Sequence, residues 1–284
     1  MCGTKVSETI NGANSLIMAY GQTGAGETST DACDLLTSFV LFAGKTFSTF
    51  GPDIDSARVT AQDASLLGLI PRAMHELFEC VASASAATAG KGVSRAFRVS
   101  VCYCQVYMGK VYDLLHTFSG SNTSSKSRRS SSASPPHLPV REDSAGIPHV
   151  SGLTQHITTD VHTILAVLEH GARYKRVDAT ALNAASSRGH TLFQVQLEQR
   201  VTRAGQAPRV TASYMCFVDL AGSERVSKTG ATGQALSEAA DINSTLSTLG
   251  TVVSILSDAT SAEAERVDLR NDGAQNSGSS TTVS

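Results

Sequence analysis

Apolar positions along this chain switch between two periods. NSLIMAY, residues 14–20, is a short unbroken apolar run that stops at Gly21, the pattern of a buried strand feeding a glycine-rich turn. In SLLGLIPRAMHELFECV, Leu66, Leu69, Ile70, Met74, Leu77 and Phe78 recur at helical spacing. Pro71 fits only a first turn, so the helix is predicted to start there. AFRVSVCYCQVYMGKVYDLL then alternates, with Phe97, Val99, Val101 and Tyr103 on one side and Arg98, Ser100 and Cys102 on the other, which predicts a strand. VHTILAVLEHGARYKR predicts a helix closing at Gly171, with Arg173, Lys175 and Arg176 just beyond its end. HTLFQVQLEQRV alternates again, Phe193, Val195 and Leu197 against Gln194, Gln196 and Glu198. ASYMCFVDL is apolar until it ends in an acid, as a central strand covered on both faces does. Finally Ile242, Leu246, Leu249, Val253 and Leu256 step by four and three, predicting a long amphipathic helix.

This mixture of strands and helices predicts a layered α/β domain without internal repeats. With 284 residues, 41% of them hydrophobic, the chain has material for one large domain or two small ones. Two stretches fall outside the pattern. SGSNTSSKSRRSSSASPP, residues 119–136, has almost nothing to bury and is expected to be a disordered surface insertion, with Lys126, Arg128 and Arg129 solvated among serines. The Gly/Ser-rich residues 271–284 are expected to form a disordered tail, leaving residues 1–270 as the domain. The formal charge of -2 and pI near 6.4 give no overall attraction for nucleic acid or acidic lipid. Six scattered cysteines lack zinc-site spacing and read as small buried hydrophobes of a reducing compartment. A signal-peptide pattern and an apolar run of membrane length are both missing from the sequence, so no membrane role is expected.

Three loops carry the chemistry. GQTGAGET (Gly21, Gln22, Thr23, Gly24, Ala25, Gly26, Glu27, Thr28) has the spacing of a phosphate-cradling loop, G-x-x-x-x-G-K-[ST], at every position except the lysine. Glycines there let successive N–H groups turn toward phosphates, and Thr28 stands where a hydroxyl reaches Mg2+. FVDLAGSER puts Asp219 at the end of an apolar strand, as an acid that serves Mg2+ does, with Gly222 able to offer its N–H to a γ-phosphate. NAASSRGH gathers hydroxyls and an arginine in a loop before a strand, a composition able to order around a metal–triphosphate.

Together AYGQTGAGET, NAASSRGH and DLAGSER make the chain resemble the kinesin motor domain, over roughly residues 6–256. GLIPRAMHELF, LPVREDSAGIPHVSGL and TGATGQALSEAADINSTLSTLG support the resemblance. It implies a P-loop NTPase-like α/β core, a central mostly β-sheet flanked by helices on both faces, incomplete at both termini. It further implies ATP as ligand, held by the loop from Gly21 to Thr28, with Mg2+ served by Thr28, Ser187 and Asp219. Ser186 and Ser187 would sense the γ-phosphate, Arg188 and Glu224 would pair as the loops close, and Asp219 and Gly222 would couple closure to the long helix beginning near Leu236. Microtubules would be met through the loop and helix around residues 226–256, on the cytoplasmic cytoskeleton.

Four departures qualify that expectation. Glu27 stands where the family has lysine, and no nearby basic residue is expected to replace the cation. Two unit charges 4 Å apart interact by roughly 4 kcal/mol at an effective dielectric near 20, so reversing one sign opposes a polyanion strongly. Weak ATP binding and very slow hydrolysis are the expectation, and the alternative is a non-hydrolysing module that binds microtubules or another partner. The residues ahead of the loop are too few for the family's first strand, and the sequence after the long helix lacks a neck linker and a heptad stalk, so dimerisation is not supported. Gly189 replaces the family's serine, and Ser244 stands where a basic residue commonly faces tubulin.

Overall fold

The alternating runs pair into one mixed sheet. The computed structural model describes residues 2–21, 37–41, 44–51, 67–88, 92–118, 134–177, 189–222, 233 and 236–256. Its strands are β1 (Ser15–Tyr20), β2 (Thr37–Leu41), β3 (Val93–Tyr107), β4 (Lys110–Asp113), β5 (His137–Leu138), β6 (Val140–Glu142), β7 (Pro148–Val150), β8 (His156–Thr158), β9 (His190–Arg203) and β10 (Arg209–Asp219). Eight of them form one sheet in the order β2-β1-β10-β9-β3-β4-β5, with β8 also paired to β3, while β6 and β7 form a separate hairpin. The β2, β1 and β10 strands run parallel, and from β10 through β9, β3 and β4 each pairing is antiparallel.

Helices cover both faces. On one face α1 (Cys2–Ile10), α3 (Leu69–Ala86) and α4 (Val161–Val177) pack on Val99, Val101, Tyr103, Phe193, Val195, Leu197, Met215 and Phe217. Ile70, Met74 and Leu77 of α3 and Ile164, Val167 and Leu168 of α4 complete that core, each full burial contributing about 1.5–3 kcal/mol. The opposite face carries a smaller cluster of Met18, Val218 and Leu220, on which Leu246, Leu249 and Val253 of α5 (residues 236–256) rest. The short α2 (Lys45–Phe50) lies at the sheet's end, with Phe50 reaching the larger core. Among the described residues no helix is long and apolar enough to cross a membrane.

The predicted periods match these faces, with four differences. The α3 helix starts at Leu69, one turn's fraction before Pro71, which lies buried in the first turn. Helix α4 does not close at Gly171 but runs on to Val177, so Arg173 and Lys175 are helical. Gly171 is there for packing: a methyl added to it would overlap Cδ1 and Cε1 of the Tyr103 ring, which is itself held between Phe50 and Phe193 at centroid distances of 5.8 and 5.7 Å. In the Ser-rich stretch, Pro135 is buried and the Pro136 carbonyl accepts from the Asp113 N–H, so its proline end belongs to the fold; residues 119–133 lie outside the described residues. Leu256, placed on the apolar stripe by its spacing, is 61% exposed because that stripe leaves the sheet after Val253. Helix α1 is amphipathic and enters the core through Val6, with Ile10 packed against it. Cys104 is the buried hydrophobe expected and Cys216 is half-buried, and burial pushes both thiols up to about 12.

Two measurable consequences follow from this packing. Replacing Gly171 with Ala normally favours a helix by about 1 kcal/mol, but here overpacking against Tyr103 costs about 1–3 kcal/mol. Gly171→Ala is therefore expected to lower stability in chemical denaturation, and a stabilised variant would refute the packing role. His170, on α4, packs against Phe118 and Tyr174, and burial, with Arg173 and His116 adding to it, lowers its pKa to about 4. Burial lowers His156 and His190 as well. Each folded pKa lies below the ordinary 6.5, so between the two values the unfolded chain binds more protons and stability rises with pH. The unfolding midpoint should fall steadily from pH 6.5 toward 4, and His170→Phe should flatten that slope; an unchanged slope would contradict the assignment.

Candidate functional site

One carboxylate organises the C-terminal ends of β1 and β10. Asp219 closes β10, is 2% exposed, and lies beside Ala19 of β1 in register. Strand periodicity places its side chain on the face of Met215 and Phe217, beneath α2 and α4. There its Oδ2 accepts a hydrogen bond from Thr46 Oγ1 at 2.7 Å and an ion-paired one from Lys175 Nζ at 3.2 Å. The Lys175 ammonium also sits 5.4 Å from the centre of the Phe50 ring. Asp219 Oδ1 is buried with no hydrogen-bond partner among the described residues.

The approach to this carboxylate is set by a turn. Gly44 takes φ 69° and ψ 47°, a left-handed conformation natural to glycine, and leads directly into α2. Lys45 and Thr46 open that helix. Lys45, buried, donates from Nζ to the Gly21 carbonyl at 2.7 Å, which sets the α2 entrance against the end of β1.

A polar row extends from Asp219 across the sheet. Thr191 of β9 pairs with Asp219, and Gln105 of β3 pairs with Thr191. Both are buried, and Thr191 Oγ1 and Gln105 Oε1 also lack partners among the described residues. His190 precedes Thr191 on the opposite face. Its Nδ1 accepts from the Ala221 N–H at 3.0 Å, so the ring is neutral with its proton on Nε2. Burial lowers the His190 pKa, with Asp241 and Asp219 acting in the opposite direction. Gly189 has a steric reason: an added Cβ would come within 2.6 Å of Gln105 Nε2. These buried polar atoms without partners among the described residues are concentrated at one strand end.

The residues fit a polyphosphate with a divalent cation. The Asp219 carboxylate and Thr46 hydroxyl are hard oxygen donors, while Lys45 and Lys175 supply positive charge. Among the described residues no group of three His, Cys, Asp or Glu is arranged to hold a metal. Mg2+ does not need one, since it is commonly held by one or two carboxylates plus substrate phosphates.

Of the residues singled out in sequence, Gly21, Asp219 and Gly222 are described. Gly21 and Asp219 come together through Lys45 and Thr46, and Gly222 is buried just beyond β10. Gln22, Thr23, Gly24, Ala25, Gly26, Glu27 and Thr28 lie outside the described residues, as do Ser186, Ser187, Arg188 and Glu224. The expectation that no cation stands near this loop is corrected by Lys45, which is remote from Gly21 in sequence and adjacent in space. A signal for it exists: Gly44-Lys45-Thr46 has the G-K-T ending that phosphate loops share, which spacing counted only from Gly21 does not reach. Lys175 has no such mark, being one of three basic residues near the end of α4.

Comparison with known proteins agrees with this geometry. The family model of the kinesin motor domain matches residues 2–272. Kinesin heavy chain isoform 5C of Homo sapiens is 31% identical over 255 residues, covering 90% of this chain and 21% of that protein. Kinesin-like protein KIF13A of Mus musculus is 35% identical over 255 residues, covering 89% of this chain and 12% of that protein. The chain thus spans about a fifth or less of the length of these relatives. Among solved structures, a fast kinesin superposes with a TM-score of 0.63 at 29% identity, covering 90% of this chain and 58% of the other. The KIF14 dimer in complex with a microtubule, in an AMP-PNP state, gives 0.66 at 27% identity, covering 91% and 59%.

The buried ion pair has a thermodynamic signature. Removing one partner of such a pair leaves an uncompensated buried charge at a cost of about 3–5 kcal/mol. Lys175→Met is expected to lose that much stability in urea denaturation, with Lys175→Arg losing far less. Equal stability of Lys175→Met and the unmodified chain would show that the pair does not hold Asp219 in place.

Proposed function

This chain belongs to the kinesin motor domain family, and on that premise we propose that it is an ATP-dependent microtubule-binding head acting on the cytoplasmic cytoskeleton. The observation that carries the reading is the buried Asp219 carboxylate, one oxygen satisfied by Thr46 and Lys175 and the other left without a partner among the described residues. ATP with Mg2+ supplies the phosphoanhydride whose cleavage drives such a head.

The chain's own residues do the rest. Lys175 neutralises and orients Asp219, Thr46 adds a hydroxyl beside it, and His190 holds the Ala221 N–H through its neutral ring. Coupling to the partner surface rests on alternation along one strand. Asp219 faces the site, whereas its neighbours Val218 and Leu220 face α5 and touch the layer formed by Leu246, Leu249 and Val253. A shift of residues 219–222 toward a ligand therefore moves the seat of α5. Tyr107, at the end of β3, fastens the start of α5 by donating to Glu238 Oε1 at 2.7 Å.

The surface offered to the microtubule is nearly without positive charge and mixes polar residues with the exposed Leu236, Val252, Ile255 and Leu256. Ser244, Ser247 and Thr248 are exposed on α5, and between residues 226 and 256 the basic residue is Lys228. Attraction for an acidic partner is correspondingly weak here, and shape contributes more than charge to this contact.

Co-sedimentation with microtubules tests the proposal. Pelleting in AMP-PNP and in ADP is expected to differ by about fivefold or more, the scale of ordinary coupling between two sites. Asp219→Ala should remove the difference while leaving a nucleotide-independent remainder. Absence of pelleting in every nucleotide state, or pelleting indifferent to nucleotide in the unmodified chain, would refute the reading.

A further inference from the structure

Between its glycines at 21–26 and the Lys-Thr pair at 45–46, the chain leaves the end of β1 and returns to it. The return is recorded by the hydrogen bond from Lys45 Nζ to the Gly21 carbonyl, 24 positions earlier in sequence. Within the excursion, β2 runs parallel to β1 at the sheet edge, from Leu16 opposite Thr37 to Tyr20 opposite Leu41. An excursion of this kind is tolerated because closing a longer loop adds cost only logarithmically, and β2 gains ladder hydrogen bonds in return.

A phosphate loop needs its lysine and hydroxyl directly after its last glycine, so that backbone amides, ammonium and hydroxyl converge on one polyphosphate. Two pairs compete for that place. Glu27-Thr28 follows Gly26, and Lys45-Thr46 follows Gly44. Only the second has the required charge, and its hydroxyl donates to Asp219, at 2.7 Å across 173 positions of sequence. Joining Gly26 directly to Lys45 writes GQTGAGKT, which satisfies G-x-x-x-x-G-K-[ST] at every position. We infer that residues 27–44 are an insertion splitting the phosphate loop, that Lys45 and Thr46 are this chain's phosphate-binding lysine and cation-binding hydroxyl, and that Glu27 holds no phosphate position. The inference rests on the nucleotide reading above and changes which residues serve it. The charge reversal expected from Glu27 then does not arise, because the residue belongs to the insertion.

Titration of the full chain with a fluorescent ATP analogue, with and without Mg2+, tests this, with circular dichroism confirming that each variant folds. Lys45→Ala should weaken binding by about tenfold or more, Lys45→Arg by less, and Glu27→Lys should change it by less than about threefold. Thr46→Ala should remove the Mg2+ dependence, which a purely structural threonine would leave intact. Deleting residues 27–44 should preserve or tighten binding, and binding seen only after that deletion, then lost on adding Lys45→Ala, supports the inference equally. Tightening of about tenfold in Glu27→Lys, or unmodified affinity in Lys45→Ala, overturns it while leaving the nucleotide reading in place. Absence of binding in the unmodified chain and in every folded variant, the deletion included, overturns the nucleotide reading and this inference with it.

Discussion

The arrangement of this domain depends on the buried carboxylate of Asp219. A charge at 2% exposure at the end of a central strand is tolerable only with partners, and it draws them from two other elements, Thr46 on α2 and Lys175 on α4. Those contacts tie together the end of β10, the turn into α2 and the last turn of α4. Lys45, next to Thr46, extends the tie to Gly21 at the end of β1. Four chain segments thus meet around one oxygen-rich point, where the second oxygen of Asp219 has no partner among the described residues.

Strand periodicity makes the same point mechanically consequential. Because successive side chains leave a strand on opposite faces, Asp219 looks into the site while Val218 and Leu220 support α5. No relay of intermediate residues is required between the two faces, since the backbone of residues 218–220 is common to both. His190 and Thr191 repeat the device on β9, one hydrogen-bonded to Ala221 and the other in the polar row.

Much of this was legible beforehand, for physical reasons that differ by residue. The alternation in β3 and β9 and the closing acid of β10 are local patterns, imposed by burial on one face or both, and they appear in the structure as read. Gly171 was misread because a glycine near a helix end has two uses, ending the helix or admitting a neighbour, and only the Tyr103 ring distinguishes them. Lys175 escaped notice because a basic residue near a helix end usually serves solvent, and nothing local says that this one is covered.

The phosphate loop divides most clearly between the two sources. Glycines at 21–26, the acid at 219 and the overall α/β plan follow from residue types and spacings, which covalent chain geometry converts directly into turns, strands and helices. Which lysine and which threonine stand at the ends of β1 and β10 was a question of proximity between segments far apart in sequence. Spacing along the chain carries no measure of that distance. Folding decided it by pairing β2 to β1, returning Lys45 to Gly21 and seating Thr46 on Asp219.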